Sequence, residues 1–468
     1  MSGVELSELQ GNVLRGYRKN VARHIVARVR DAAAARAFLG AAARGEGPLP
    51  VTPGTDWGGA APEILFNVGV TYAGLRALGV SERSARGLSR AFRKGAVSAA
   101  KTVGDYGCSA PEHWRPFWRE ADAVHLILTL HADDAGALDR GEAALPLGGG
   151  MEKLGAEEAA WFAPDIVHFG YRDNISQPRF RGFDPKGRWD DQPAAPLGVL
   201  LLGHPTGMEQ ISWSLPEPKV LGLNGSFGAF RVLEQDVEGF EAYLDSAAET
   251  LLGSSEADLL LPPGFEGGAE ARRAMLREVV AAKFCGRWRS GTPLALSPFD
   301  PNPEPPVSDT DFDYSDDLDG VRCPMGSHLR RANPRSAKIV QRVANHTRRL
   351  VRRNMPYGPE FDPANPVKAE RGLVGYFLCA DLAAQFEAIQ NDWINIGLQD
   401  PRITGANDPM IGDNDASASW FDIETKAGPV RLRGFPSFVR TRGSAYAFLP
   451  SMAALRWIGE IGAGSAAA

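Results

Sequence analysis

In HIVARVRDAAAARAFLGAAARG, residues 24–45, two periodicities meet. Apolar residues alternate to Val29, as in a strand with one buried face. After Asp31 the chain turns alanine-rich, as a helix does. The same change recurs in ILFNVGVTYAGLRALGV (64–80), through Thr71, and in AVHLILTLHADDAGALDR (123–140). The second half repeats it. SFGAFRVLEQDVEGFEAYLDSAAETLL (226–252) has the layout of 24–45, LVGYFLCADLAAQFEAIQNDWI (373–394) that of 123–140, and SAYAFLPSMAALRWIG (444–459) closes the chain with one more unit. Strand–helix units in two sets predict a duplicated α+β sandwich, two antiparallel sheets with helices packed on them. A doubly wound parallel sheet is the alternative, but no glycine-rich phosphate loop follows any of these strands.

The chain has 468 residues and is 44% hydrophobic, enough for two domains or one large one. A net charge of −6 with both signs plentiful gives no bulk case for nucleic acid or an anionic membrane. Cys108, Cys285, Cys323 and Cys379 are widely spaced and read as reduced thiols or small buried hydrophobes. The start, MSGVELSELQGNVLRGYRKN, shows no signal-peptide h-region, and no apolar run of about 18 residues occurs. The expectation is a cytoplasmic protein with no membrane and no nucleic-acid partner. The composition is compatible with a homo-oligomer and does not fix one.

Two loops punctuate the pattern. LPLGGGMEKLG (145–155) reads as flexible, and TPLALSPFDPNPEPPVSDTDFDYSDDLDG (292–320) is too rich in Pro and Asp for helix or central strand. A loop of that length in a compact chain is usually functional or disordered. The densest chemistry follows it, in VRCPMGSHLRRANPR (321–335) and HTRRLVRRNMPYGP (346–359). Arg330, Arg331, Arg335, Lys338, Arg342, Arg348, Arg349, Arg352 and Arg353 crowd there. Such a run suits a solvated helix face, a nucleic-acid patch, or the carboxylates or phosphates of an anionic cofactor, which arginine binds bidentately. His328 heads the run. No second His or Cys stands at zinc spacing. A single imidazole suffices for haem iron, whose porphyrin supplies the other ligands and whose propionates need cations.

A further stretch, FGYRDNISQP (169–178), places Arg172 beside Asp173 between the turn-formers Gly170, Asn174 and Pro178. Asp commonly caps such turns. Taken with the segments above, it resembles the dye-decolorizing peroxidases. GYRDNISQP is similar to that family's distal aspartate motif, CPMGSHLRRANPR to its proximal-histidine segment and LVRRNMPYGP to its distal-arginine segment. RGLVGYFLCADLAAQFEAIQNDWIN resembles the strand–helix that follows them, and QGNVLRGY (10–17) the amino-terminal signature.

The resemblance implies a haem b (iron protoporphyrin IX) peroxidase of α+β class. It would have two ferredoxin-like domains, each an antiparallel sheet packed with helices, related to the dimeric α/β barrels. Residues 1–200 would carry the aspartate loop, and 201–468 the histidine and arginine. Hydrogen peroxide would be the oxidant; dyes, phenolics or other organic molecules would be the reductants. By the same resemblance His328 is the axial metal ligand, Asp173 the distal acid–base residue and Arg352 the charge stabiliser. Asn174, Ile175 and Ser176 would pass over one haem face. Asn333, Pro334 and Arg335 would approach the cofactor, with Arg335 at a propionate, and Asn354 lines the distal pocket. A carboxylate in the acid–base role favours acid pH, where a histidine base would favour neutral pH.

The acceptor that orients His328 is left open between Asp408 and Glu387. Arg172 is expected to face solvent, and His168 and His346 to be structural. The family usually has Gly after the distal aspartate; here it is Asn174, which tolerates positive φ. Dyes too large for a covered haem would be oxidised at surface Trp or Tyr radicals, with Trp393, Trp457 and Tyr357 named without ranking. The alternatives are a haem carrier or iron-release protein without turnover, and a nucleic-acid binder using residues 330–353.

Overall fold

Each strand–helix junction is closed by the side chain at its hinge. The computed structural model describes residues 4–59, 61–183, 193–207, 212–335, 348–364 and 367–462. Strand β1 (Val21–Val29) passes into the helix Ala32–Ala43 through Asp31, whose carboxylate accepts the N–H groups of Ala33 and Ala34. Thr71 does the same between β2 (Leu65–Val70) and the helix Tyr72–Ala77, and Asp134 between β3 (Leu126–Ala132) and Ala135–Ala143. After β4 (Met151–Ala160), Asp236 caps the helix Val237–Leu252 that follows β5 (Ser226–Gln235). Such caps satisfy N–H groups that a helix start leaves without partners, worth about 1 kcal/mol each. β6 (Val351–Tyr357) is followed by β7 (Gly372–Cys379), after which Asp381 caps the first of two successive π-helical segments, Leu382–Glu387 and Ile389–Asn395. After the short strands β8 (Trp420–Ile423) and β9 (Val430–Arg433), β10 (Val439–Leu449) leads through Ser451 into the helix Met452–Glu460.

The strands form one eight-stranded antiparallel sheet, in the order β4-β1-β3-β2-β10-β5-β7-β6, and a separate β8–β9 pair. The sequence pattern predicts two sheets; the structure joins them through a single register pair, Phe448 with Val70. Phe92, Phe227 and Phe448 pack over this seam, with centroids 5.1 to 6.3 Å apart. The helices Ala32–Ala43 and Met452–Glu460 cross where a Cβ on Gly459 would lie 2.7 Å from the Gly40 Cα. One apolar core spans the sheet, and a second lies under the helices Val237–Leu252 and Ala269–Cys285. No helix among the described residues is long and apolar enough to cross a membrane.

The four cysteines are free, with Cys323 and Cys379 buried. Of the basic run, Lys338, Arg342 and His346 lie outside the described residues. Arg330 and Arg331 do not form a solvated face: both are buried and bonded inward to main-chain carbonyls, Arg330 also to Asp317.

His24 and His131 meet edge-on, ring centroids 6.2 Å apart, beneath β1 and β3. Burial, then the neighbouring His131, pushes His24 down to about 3; burial, then Arg353, pushes His131 down to about 4. Both stay neutral when folded, whereas an unfolded histidine titrates near about 6.5. Their contribution to stability is full above that pH and is lost as pH falls through the window toward 4. Urea unfolding should therefore weaken between pH 7 and 5 with a slope of at most about 2.7 kcal/mol per pH unit. In His24→Gln or His131→Gln that slope should fall by roughly half, and an unchanged slope would contradict the assignment.

Candidate active site

Three segments converge from far apart in the chain. The first is a tight hairpin. Ile166 bridges Arg172, and Val167 N–H donates to Tyr171 O at 3.0 Å. The hairpin's aromatic tip is buried in the second core: Phe169 stacks on Phe240 at 4.6 Å, and Tyr171 Oη donates to Ala281 O. At its open end Asp173 N–H donates to Asp165 O at 2.7 Å, and the exposed Asp173 carboxylate makes no ion pair among the described residues. Asn174 takes φ 56°, in the left-handed region that Asn tolerates, and its Nδ2 donates to Asp165 Oδ1 at 3.0 Å. That oxygen also accepts Trp161 Nε1 at 2.7 Å, from an exposed indole. Arg172 does not simply face solvent. It pairs with Asp309 of the long loop, and its N–H donates to Arg289 O.

The second segment is the five-residue helix His328–Ala332. It ends before Asn333, Pro334 and Arg335. Arg331 locks it from within, through Gly326 O and Ala406 O. Burial pushes the Arg331 guanidinium down to about 10, against the pull of Asp408. His328 Nδ1 lies 2.9 Å from Asp408 Oδ2. Asp408 is fully buried, and its Oδ1 accepts the N–H groups of Met410 and Ile411. Burial works to raise its carboxyl, but the charge and hydrogen bond of His328, with Arg331, outweigh this and hold it below the ordinary value. Of the two acceptors left open, the structure selects Asp408; Glu387 accepts Tyr446 Oη instead. With Nδ1 engaged, Nε2 is the nitrogen His328 offers to a metal.

The third segment is β6, at the sheet's end. Gly375 on β7, at φ 147°, lets the strands close: a Cβ there would lie 2.0 Å from Arg353 O. Arg352 is exposed, and its Nη2 donates to Ser176 O at 2.8 Å, joining β6 to the Asp173 loop. Asn354 Oδ1 is buried and has no hydrogen-bond partner among the described residues. Arg353 turns inward to the carbonyls of Asn12 and Val13.

Arg335 takes φ 51° and lies 3.7 Å over the Phe312 ring, its Nη1 donating to Thr310 O and Phe312 O. Half-buried Arg349 bonds Asn333 Oδ1 and makes no ion pair among the described residues. Burial, then Arg335, pushes its guanidinium down to about 10. His168 is structural: Nε2 meets Tyr357 O at 2.8 Å, and burial lowers its pKa. Trp393 and Tyr357 are buried, so neither is a surface relay; Trp457 is partly buried.

These residues fit a haem. No group of three or more His, Cys, Asp or Glu side chains capable of holding a metal occurs among the described residues. A lone oriented imidazole suits an ion whose other ligands belong to a prosthetic group. Asn354 Oδ1 is an acceptor without a donor, and Arg349 a cation without a carboxylate, which a propionate would supply. Gln177 and Asp165 are not singled out by the sequence, and Arg349 is read there only as one member of the basic run. Gln177 lay inside a quoted motif, but its contact on β6 is 175 positions away.

No family model matches the chain. Among curated proteins it is 27% identical over 481 residues to a dye-decolorizing peroxidase of Exidia glandulosa, covering 97% of this chain and 87% of that protein. It is 28% identical over 483 residues to a multifunctional dye peroxidase of an Amycolatopsis strain, covering 96% of this chain and 95% of that one. Among solved structures, an ancestral D-type dye-decolorizing peroxidase matches with a TM-score of 0.80 at 26% identity, covering 97% of this chain and 99% of its own.

Asp408→Ala leaves a buried imidazole nitrogen and two N–H groups without an acceptor. Denaturant unfolding should show a loss of about 3 kcal/mol. Asn174→Gly, which removes one exposed hydrogen bond, should change stability by less than about 1 kcal/mol.

Proposed function

Because the chain belongs to the dye-decolorizing peroxidase family, we propose that it is a haem b peroxidase that uses hydrogen peroxide to oxidise dyes, phenolics and related organic reductants. The observation that carries this reading is the 2.9 Å bond between His328 Nδ1 and the fully buried Asp408, the orientation a single axial ligand needs. Haem b, when bound, supplies an iron that accepts peroxide and takes up the two oxidising equivalents of its O–O bond.

His328 would hold that iron through Nε2, with the Asp408 carboxylate making the imidazole more basic. Arg335 and Arg349 would receive the propionates, beside Asn333 and Pro334. Asn174, Ile175 and Ser176 would line the cofactor on the side of the Asp173 loop. Asp173 takes a proton from one peroxide oxygen and returns it to the other, which leaves as water. Arg352 offsets negative charge on the departing oxygen, the term that is commonly largest in such reactions. Two reductant molecules then give one electron each. Phenolics are favoured as reductants by a solved relative, 26% identical with a TM-score of 0.79, that was determined in complex with 2,6-dimethoxyphenol. In this reading residues 1–200 form the domain carrying Asp173, and residues 201–468 the one carrying His328 and Arg352.

The test is spectroscopic. The purified protein should show a Soret band that one equivalent of peroxide shifts and that His328→Ala abolishes. Asp173→Asn and Arg352→Leu should keep the band and lose turnover by about 10² to 10⁴-fold. A band that peroxide leaves unmoved would favour a haem carrier instead.

A further inference from the structure

The Asp173 and Arg352 side chains make no ion pair among the described residues, and both are exposed. Mutual charge therefore does not hold their separation, so the main chain must. On the loop side, Asp165 secures it, accepting Asp173 N–H with its carbonyl and Asn174 Nδ2 with its carboxylate. On the strand side, β6 ends the sheet, so its outer edge presents backbone groups that no strand pairs. At Arg352 one side chain engages both outward groups, sharing the carbonyl with Arg353 Nη1 at 3.0 Å. Gln177 Oε1 accepts Arg352 N–H at 3.0 Å, and Gln177 Nε2 donates to Arg352 O at 3.1 Å. A carboxamide carries a donor and an acceptor in one plane, as a peptide does. Gln177 thus pairs with the strand edge as one residue of an added strand would. Ser176 O, next to it, receives the Arg352 guanidinium.

We infer that Gln177 is a positioning residue: by clamping the Arg352 peptide to the loop of Asp173, it sets the distance between the proton-shuttling carboxylate and the charge-stabilising guanidinium. The inference rests on the roles proposed above for Asp173 and Arg352. Other side chains do not replace it. Met has the length and neither polar group. Asn has the groups and lacks the length. A carboxyl at this position acts as both acceptor and donor only while protonated, and once ionised it turns a second acceptor on Arg352 O.

The test uses the haem-loaded protein and two readouts besides turnover: the cyanide dissociation constant from Soret titration, and the melting temperature. Gln177→Met should raise the cyanide dissociation constant and the KM for peroxide by on the order of tenfold, within the 10²-fold that a misplacement of about 1 Å can produce. The Soret band without cyanide should be unchanged. Gln177→Glu should bind cyanide like the parent at acid pH and lose that affinity as pH rises, a pH profile that Gln177→Met does not show. In an Arg352→Ala background, Gln177→Met should add no further loss, since the clamp then has no guanidinium to aim. Parent-like cyanide binding in Gln177→Met would overturn the inference, as would a Gln177→Glu profile no different from that of Gln177→Met. Failure of the underlying reading is distinguishable: Arg352→Ala would itself bind cyanide and turn over peroxide normally, which overturns both. If Gln177→Met does not fold, the pH profile of Gln177→Glu decides alone.

Discussion

A single backbone pairing, Val70 with Phe448, makes one sheet of two halves, and the aromatic cluster of Phe92, Phe227 and Phe448 packs over it. The last strand of the chain, β10, bonds β5 along its length and meets β2 only there. Everything at the site depends on this seam, because the site is built across it. The hairpin that follows β4 leaves the first half and buries Phe169 and Tyr171 in the second core. That anchoring of apolar surface brings Asp173 to the edge strand carrying Arg352.

Around the site, arginines are held largely by carbonyl oxygens. Arg330, Arg331, Arg335 and Arg353 all donate to main-chain acceptors. A guanidinium bonded in this way keeps its charge while its fork geometry is fixed by backbone that cannot rotate away. Burial lowers the pKa values of Arg331, Arg349 and Arg353 to about 10, so all three stay charged at neutral pH. With Asp173 in the proposed acid–base role, the fold and the chemistry would make opposite demands on pH. A carboxylate acid–base residue favours acid conditions, whereas the buried pair His24 and His131 loses stability there.

Much of this was legible in the sequence. The hinge residues Asp31 and Thr71 and the strand–helix alternation are local features, encoded within about ten residues by periodicity and capping. Asn174 was readable as a positive-φ residue for the same reason, since φ is a property of one position. The segments of Asp173, His328 and Arg352 stood out through their resemblance to the family's motifs, since alone an Asp commonly caps a turn and a cationic run commonly covers a solvated face.

What the sequence by itself determined is the set of strand–helix units and the side chains proposed to carry the chemistry. Only the tertiary structure decided how they meet. It chose Asp408 over Glu387 for His328, paired Arg172 with Asp309, turned Arg330 and Arg331 inward, and set Gln177 against Arg352. Those partners are 80 positions apart for His328 and Asp408, and 175 for Gln177 and Arg352. Contacts at such separations are set by how two cores and one seam pack, and no local pattern carries that information.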